Sequence, residues 1–274
     1  MKEINKKLID TLNLTLGVDV SKYNESFLLN SIQRRIDEVY CNSVDYYLYT
    51  LVDNNEEAAA FLSSLQISYS EFFRNPLTFS VIEKILIPII MLEKTNSKQK
   101  EIRIWSAACA AGQETYSLAI LLNQFKNLEG EPIKFRIFAT DQSEKQIEIA
   151  RNGVFDKSSL NNISLRHLNE WFIKEGELFR IKPELKQNID FSVFDLLDNQ
   201  HNSPTDSIFG DFDLVICANL LFYYKPQFRK LILNKINKSL TTNGYLITGE
   251  TERDFLSQQK AIEVFPFSAI YRPL

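Results

Sequence analysis

The stretch from Arg103 to Leu118 constrains the fold of this chain more than any other part of the sequence. An apolar run breaks into the small residues Ala-Ala-Cys-Ala-Ala-Gly, after which apolar residues recur with helical spacing. This pattern predicts a strand, a tight turn and a helix start. The next predicted strand, 135–139, is soon followed by an acid, Asp141. Such a pair of strand ends is typical of a site where a nucleotide-type cofactor lies across the carboxyl ends of two neighbouring parallel strands.

The residue chemistry of this turn favours a cationic ligand over a phosphate. Small residues such as Ala108 and Gly112 would let a ligand approach the backbone, and Asp141 is placed to accept hydrogen bonds from ribose hydroxyls. No Lys or Arg lies between residues 107 and 122, a Walker motif is absent, and Glu114 is acidic. The ammonium and sulfonium of S-adenosylmethionine therefore suit the turn. On the turn alone, the alternative that small residues merely let strand and helix pack stays open.

Composition and charge exclude several other classes of protein. The chain has 274 residues, of which 45% are hydrophobic, so it is long enough for a sizeable core. A net charge of −4 argues against a nucleic-acid partner, and three cysteines without paired spacing and two isolated histidines (His167 and His201) give no support to a metal site. The first residues lack a leader's apolar run, and the longest apolar stretch, 82–92, is too short to span a bilayer. We therefore expect a cytoplasmic protein without membrane insertion.

The spacing of apolar residues changes character along the chain. The first part has helical spacing over 4–16, 25–40, 44–52 and 56–65, whereas short apolar runs alternate with amphipathic segments from Ile102 onward. Predicted strands at 102–106, 135–139, 212–217 and 245–248 and predicted helices at 115–125, from 143 and from 226 indicate βαβ units and a parallel sheet. We predict a small all-helical domain over residues 1–75 and an α/β domain over 76–274.

Four ordered stretches carry a family resemblance that spans nearly the whole chain. They are Phe-Phe-Arg-Asn-Pro (72–76), Trp-Ser-Ala-Ala-Cys-Ala-Ala-Gly-Gln-Glu-Thr-Tyr-Ser (105–117), Ala-Thr-Asp-Gln (139–142) and Cys-Ala-Asn-Leu-Leu-Phe-Tyr-Tyr (217–224). In this order they resemble the motifs of the CheR-type chemotaxis receptor methyltransferases. The resemblance implies a Rossmann-like S-adenosylmethionine-dependent methyltransferase domain, a helical N-terminal domain that docks to the receptor, and a small antiparallel β insert at about 160–192.

The resemblance also implies a reaction and a set of site residues. The reaction is methyl transfer to the γ-carboxylate of a glutamate on a receptor's cytoplasmic helix, giving a glutamate methyl ester and S-adenosylhomocysteine. Arg74 and Tyr223 would be the catalytic pair. The implied cofactor-binding residues are Ser68, Ser70, Arg74, Ala108, Gly112, Glu114, Asp141, Asp195, Leu196, Ala218 and Asn219.

A basic pair and the β insert bear on how a receptor would be recognised. Arg34 and Arg35 stand where the family has a basic helix that meets the acidic receptor. In isolation, such a pair on a helix is more often solvated surface. The insert has only a short turn after Lys174, without the longer glycine-bearing loop of members that grip a receptor's C-terminal pentapeptide, so tethering through that peptide is doubtful. We expect a monomer.

Departures from the family motifs keep two alternatives open. Gln113 replaces a glutamate, Ala111 a serine, Thr115 a proline and Ala218 an arginine. Ala218 loses a donor near the active face, which predicts weaker cofactor binding. One alternative is a regulatory module that binds S-adenosylmethionine without turnover, and the other is a methyltransferase with a different protein or a small molecule as acceptor.

Overall fold

Most of the strands after residue 101 form one seven-stranded sheet, whereas the regular elements of the described residues 2–65 are all helices apart from a single β-bridge residue. The computed structural model describes residues 2–65, 69–95, 97–207, 210–259 and 261–272. The contacts divide the chain into two compact units, residues 1–67 with 221–230, and residues 68–220 with 231–274. The first is called the helical unit below and the second the sheet unit. The sequence-based boundary at residue 75 lies further along the chain and stays a prediction.

The helices and strands have the following bounds. The helices are α1 (Lys2–Leu16), α2 (Glu25–Glu38), α3 (Val44–Asp53), α4 (Asn55–Ser64), α5 (Pro76–Val81), α6 (Ile87–Thr95), α7 (Gln113–Leu122), α8 (Glu144–Asn152), α9 (Leu165–Trp171), α10 (Pro183–Lys186), α11 (Pro226–Ser239) and α12 (Arg253–Gln258). The strands are β1 (Ile102–Ala107), β2 (Phe135–Asp141), β3 (Val154–Asp156), β4 (Phe172–Glu175), β5 (Leu178–Ile181), β6 (Ile189–Val193), β7 (Phe212–Ile216), β8 (Leu240–Ile247), β9 (Ile262–Glu263) and β10 (Ile270–Arg272). A π-helical turn, Ile82–Leu86, joins α5 to α6. The described part of the chain contains no helix with both the length and the apolar character needed to cross a bilayer.

Three of the four helices in residues 2–65, namely α2, α3 and α4, begin at side-chain caps. Asn24, Ser43 and Asn54 each accept a hydrogen bond from a backbone N–H in the first turn of the helix that follows, which satisfies donors that the helix itself leaves unpaired. The apolar faces of these helices meet in a core of fully or almost fully buried side chains, which includes Leu8, Leu12, Leu28, Ile32, Tyr47, Leu51 and Phe61. The predicted helices of this part are confirmed within a few residues.

The sheet unit has the strand order β6-β2-β1-β7-β8-β10-β9. The first five strands are parallel, β10 runs antiparallel to β8, and β9 runs antiparallel to β10. From β1 the chain goes first to β2 and β6 on one side and then returns to β7 on the other. The order therefore reverses at β1, and in open α/β sheets a crevice forms outside the carboxyl ends of the strands at such a point. The predicted α/β fold is confirmed.

The small antiparallel insert is a separate sheet with the order β3-β5-β4. It spans residues 154–181, so it begins and ends earlier than the predicted 160–192. The difference arises at β6, which pairs in parallel with β2 along five residues and so belongs to the main sheet. Periodicity could not assign this strand, because either sheet would use its apolar residues.

Strand β8 begins at Leu240, five residues before the predicted start at Tyr245. The pairing of β7 with β8 shifts register between Phe212 and Leu214. A Cβ added at Gly244 would lie 2.9 Å from the carbonyl oxygen of Phe212, so a side chain there would collide with the neighbouring strand. Gly244 thus occupies an irregular, crowded point inside a strand, one of the positions where strands accept glycine.

Candidate functional site

The turn after β1 is built from residues with left-handed backbone conformations. Ala108, Ala110 and Gly112 have φ values of 58°, 48° and 89°. Two alanines in this region are unusual and store strain of the kind found at ligand sites. The turn is tied to the neighbouring strand, because the Cys109 N–H donates to the carbonyl oxygen of Thr140 over 2.8 Å. The start of α7 is therefore held at the carboxyl ends of β1 and β2.

Gly112 is required by the packing of the protein itself. A Cβ at this position would lie 3.0 Å from the Ala150 Cβ, 3.3 Å from the Tyr116 ring and 3.4 Å from the Phe191 ring. Its positive φ adds to the requirement. The close approach of α7 to α8 and β6 thus accounts for this glycine without a ligand, which supports the packing alternative for Gly112. Its predicted contact with a cofactor stays a prediction.

Asp141 ends β2 with its carboxylate almost entirely buried, at 8% exposure. Its Oδ2 accepts a hydrogen bond from the Ala110 N–H at 3.0 Å, and its Oδ1 accepts one from the Ser143 N–H at 2.9 Å. Burial raises the pKa of Asp141, and these backbone hydrogen bonds act in the opposite direction. A carboxylate has about four acceptor positions, so capacity for further donors remains. The residue connects the turn after β1 with the turn after β2.

Glu114 lies in the first turn of α7 and is half-buried. Burial raises its pKa to about 7, the positive charge of Arg74 acts in the opposite direction, and the negative charge of Glu252 adds to the rise. A carboxylate in such surroundings gains from any cation that comes close to it. Perturbed carboxylates in a crevice are common at functional sites.

Arg74 is carried by a segment anchored in the core of the sheet unit. Phe72 is fully buried and packs edge-on against Phe155 at 5.0 Å, while the Phe73 N–H donates to Ser117 Oγ on α7 at 3.0 Å. The Arg74 guanidinium lies over the Tyr69 ring, 5.2 Å from its centre, and donates to the Tyr69 carbonyl oxygen at 3.3 Å.

The positive charge of Arg74 also acts on Glu114, where it partly offsets the rise of the pKa that burial causes. The structure therefore brings this predicted catalytic residue and one predicted cofactor-binding acid together. Ser70, four residues before Arg74, is half-buried. Ser68 lies outside the described residues.

Two further predicted residues follow β6. Asp195 is half-buried and its Oδ1 accepts a hydrogen bond from the Leu197 N–H at 2.9 Å, which shapes the loop locally. Leu196 is 7% exposed. The same loop is joined to the end of β2, because the Phe194 N–H donates to the Asp141 carbonyl oxygen at 3.0 Å.

Ala218 and Asn219 follow β7, and both are half-buried. Asn219 has a φ of 58°, and its N–H donates to Glu252 Oε2 at 2.9 Å. The sequence reasoning missed Glu252, which is fully buried near the carboxyl end of β8. An acid three residues after Gly249 was the available signal, but nothing local in the sequence indicates that its partner is on another strand end.

The other three predicted residues lie in the helical unit. The Tyr223 ring packs against Phe27 at 4.9 Å, and its carbonyl oxygen accepts a hydrogen bond from the Asn24 N–H at 2.8 Å. The Arg35 guanidinium is bound to both carboxylate oxygens of Glu57, at 3.0 and 2.6 Å. Arg34 is exposed and donates to the Ser64 carbonyl oxygen at 2.7 Å. The predicted catalytic role of Tyr223 and the docking role of the two arginines stay predictions.

The residues of the sheet unit fit a small adenosine cofactor with a positive charge. Glu114 and Asp141 follow β1 and end β2, which are adjacent parallel strands, and burial raises the pKa of both carboxylates. A bound ammonium would favour ionised Glu114, and sugar hydroxyls would supply donors for Asp141. The donor set therefore matches the expected S-adenosylmethionine.

Comparison with known proteins supports the expected cofactor. Residues 68–269 match the family model described as "CheR methyltransferase, SAM binding domain", and residues 6–65 match "CheR methyltransferase, all-alpha domain". The first of these descriptions confirms the expected cofactor.

Three relatives cover most of the chain. An uncharacterized 104.1 kDa protein of Rhodobacter capsulatus is 29% identical over 247 residues, which is 90% of this chain but 25% of that protein. The chemotaxis protein methyltransferase of Salmonella typhimurium is 29% identical over 243 residues, covering 86% of this chain and 78% of the relative. That of Escherichia coli is 28% identical over 243 residues, with coverages of 86% and 79%. The chain thus spans a quarter of the first relative and more than three quarters of the other two.

The two family models together cover nearly all of the chain, and the first alone matches well over half of it. The resemblance drawn from the four sequence motifs is confirmed: the chain belongs to the CheR methyltransferase family.

Proposed function

We propose that the protein transfers a methyl group from S-adenosylmethionine to the γ-carboxylate of glutamates on the cytoplasmic helical domain of a chemoreceptor or a receptor-like protein. The observation that carries the proposal is a pair of carboxylates in a chain of this family: Asp141 at the end of β2, and Glu114 in the first turn of the helix that follows the adjacent parallel strand β1. Two of its relatives bear the name chemotaxis protein methyltransferase, which supports the same acceptor.

Each residue of the site has a part in holding the cofactor. Glu114 would pair with the ammonium of its methionine end and Asp141 would accept the ribose hydroxyls. Arg74 offers a planar guanidinium that suits the methionine carboxylate. A further set would line the methionine end, the adenine and the face of methyl transfer: Ser68, Ser70, Ala108, Gly112, Asp195, Leu196, Ala218 and Asn219.

The reaction requires alignment more than proton transfer. The bound cofactor supplies an electrophilic methyl carbon, which gains a bond to the glutamate oxygen as its bond to sulfur breaks and the electron pair stays on sulfur. A glutamate side chain with a pKa of about 4.3 is already ionised at neutral pH, so no general base is needed. The task of Arg74 is therefore to orient a carboxylate and help exclude water, through which most of the rate enhancement would arise.

Recognition of the acceptor is proposed for the helical unit. Its Arg34 is exposed, whereas the charge of Arg35 is compensated by Glu57 and Glu38 at 2.6 and 2.5 Å. We propose that Arg34 contributes to docking of an acidic receptor helix, so that docking weakens as salt is added. The proposed acceptor is cytoplasmic, so the same compartment is proposed for the enzyme, acting as a monomer. Tethering through a receptor pentapeptide is not part of the proposal.

The test is methyl transfer from tritium-labelled S-adenosylmethionine to a receptor cytoplasmic fragment. Label that is released as methanol by mild base is expected from the wild type, because carboxyl methyl esters hydrolyse under these conditions. Asp141→Ala should abolish both cofactor binding, measured by calorimetry, and labelling. Asp254→Ala, which removes an exposed acid on α12, is the matched control and should retain both.

Three results would contradict the proposal in different ways. Base-stable label would indicate another acceptor group. Cofactor binding without turnover on any receptor fragment would indicate a regulatory module. If the wild type does not bind S-adenosylmethionine, the proposed cofactor site itself is contradicted.

A further inference from the structure

A fully buried carboxylate, that of Glu252, lies beside the candidate site and has no place in the proposed chemistry. Its exposure is 0%, and its Oε2 accepts hydrogen bonds from two backbone N–H groups, that of Asn219 at 2.9 Å and that of Gly249 at 2.7 Å. Ionisable side chains are seldom buried to this extent unless their partners compensate the loss of water. One oxygen of Glu252 thus joins the loop after β7 to the loop after β8.

The contact between these two loops leaves no room for a side chain. A Cβ built at Gly249 would lie 2.6 Å from Asn219 Nδ2 and 2.9 Å from the Asn219 backbone nitrogen. Asn219 itself has a φ of 58°, a conformation in which non-glycine residues are uncommon. The backbone and the side chain of Asn219 are therefore held from one direction by Glu252 and from another by Gly249.

We propose that Glu252 is a positioning residue that holds Asn219 in its left-handed conformation at the carboxyl end of β7, and so presents the Asn219 side chain to the cofactor. The inference rests on the proposed function, because only that function gives Asn219 a ligand. The hydrogen bonds carry the inference, since asparagine also adopts other backbone conformations and its surroundings determine that it is left-handed here.

The negative charge of Glu252 adds a second effect that a structural role alone would not produce. Two charged groups act on the pKa of Glu114: Arg74 acts to lower it and Glu252 acts to raise it. The charge of Glu114 in turn helps to raise the pKa of the buried thiols of Cys109 and Cys217. Removing the charge of Glu252 should therefore lower the pKa of Glu114. Cofactor binding that depends on ionised Glu114 would then persist to lower pH.

Two variants separate the hydrogen bonds from the charge. Glu252→Gln keeps an acceptor oxygen of similar reach but is neutral, whereas Glu252→Ala leaves two buried N–H groups without this acceptor. Glu250→Gln is the matched control, because Glu250 is an exposed acid two residues away. The measurement is the dissociation constant of S-adenosylmethionine by calorimetry between pH 5.5 and 8, with circular dichroism to verify folding.

At pH 7.5 the alanine variant should bind about tenfold more weakly or worse, which corresponds to the loss of one buried hydrogen bond, and the glutamine variant should stay within about threefold of wild type. The midpoint of the pH profile should fall by about half a pH unit in the glutamine variant. Glu250→Gln should change neither quantity. The inference would be overturned by a folded alanine variant with wild-type affinity, and equally by a glutamine variant whose pH midpoint is unshifted. If the alanine variant does not fold, the glutamine variant alone decides.

Failure of the proposed function is distinguishable from failure of this inference. A wild-type protein that binds no S-adenosylmethionine at any pH contradicts the function. The effect of Glu252 on Glu114 is then still measurable in the free protein, by NMR titration of carbon-13-labelled glutamate side chains in which Glu114→Gln identifies the Glu114 signal. An unchanged Glu114 titration in Glu252→Gln would overturn the electrostatic part of the inference without any ligand.

Discussion

At Glu114 the protein keeps a half-buried carboxylate whose pKa burial raises to about 7. Near neutral pH, protonated and ionised forms are therefore both populated. A ligand with an ammonium group binds the ionised form better and draws the equilibrium toward it. Cofactor binding should consequently be linked to release of a proton from this residue.

This linkage predicts a pH profile for the binding of S-adenosylmethionine. The ionised fraction of Glu114 falls about tenfold for each pH unit below its pKa, so affinity should drop about eightfold between pH 7.5 and pH 6. Calorimetry in buffers of different ionisation enthalpy measures both the affinity and the proton released. Glu114→Gln should bind about tenfold more weakly at pH 7.5 and show a flat profile in this range. A wild-type profile that is already flat would contradict the pairing.

Arg74 is predicted to affect turnover more than cofactor affinity. Its segment is fixed by the burial of Phe72 and the hydrogen bond from the Phe73 N–H to Ser117, so substitution of Arg74 should leave the segment in place. We expect Arg74→Ala to lower kcat about 100-fold at saturating cofactor, because the methyl group of the cofactor is no longer held in line with the reacting carboxylate. Arg166→Ala, at an exposed position on α9, is the control. Equal turnover of Arg74→Ala and wild type at saturating cofactor would refute the role.

At the scale of elements, an ion pair with a tyrosine ties three helices of the helical unit together. Arg35 on α2 binds Glu57 on α4 through two hydrogen bonds, and the Tyr47 hydroxyl on α3 donates to Glu57 Oε1 at 2.7 Å. The side chains of Arg35 and Glu57 are only 17% and 12% exposed. Although burial acts to raise it, the hydrogen bonds from Arg35 and Tyr47 lower the pKa of Glu57.

The two neighbouring arginines of α2 should therefore behave differently. Arg35→Ala leaves Glu57 buried without its cation and should lower the free energy of unfolding by about 2 kcal/mol. Arg34→Ala should lower it by less than about 1 kcal/mol, because Arg34 is exposed. Urea unfolding followed by circular dichroism measures both. If docking depends on Arg34, its variant should raise the KM for a receptor fragment in a salt-dependent manner; an unchanged KM would remove Arg34 from the docking surface.

For the whole molecule, the buried carboxylates of the candidate site lower the free energy of unfolding at neutral and higher pH. Burial raises the pKa of Glu114 and Asp141, so the folded protein holds protons on these groups at pH values where the unfolded chain has already released them. Their contribution to stability is most favourable below the pKa of the unfolded chain. It is lost as the pH rises through the pKa of the folded state.

Neutralising Glu114 should therefore stabilise the protein at high pH only. For this residue the pH window runs from about 4.5, the pKa in the unfolded chain, to about 7. At pH 8 we expect Glu114→Gln to raise the stability by about 2 kcal/mol, or several degrees in Tm, and at pH 4 to have little effect. Differential scanning calorimetry at both pH values measures this. A variant that is less stable than wild type at pH 8 would show that burial is compensated within the protein.

The sequence by itself determined the classes of element, their order and the family. Apolar spacing distinguishes helix from strand because it depends on residues a few positions apart, and the four motifs identify the family because their residues remain in order along the chain. The same local reasoning placed the start of α8 at residue 143, where the structure has Ser143 as the N-terminal cap of this helix. It also singled out Asp141, which comes soon after a predicted strand, and Glu114, the acid in the small-residue turn.

Only the tertiary structure decided which strand ends meet and what each side chain contacts there. Pairing of β6 with β2 limits the insert to residues 154–181, and the crowded contact with Phe212 puts Gly244 inside a strand. Residue 112 must be a glycine because a side chain there would collide with Ala150 and Phe191, which are far from it in the sequence. Glu252 binds Asn219 across 33 residues. These relations depend on contacts between distant parts of the chain, and no spacing of residues along the sequence encodes such distances.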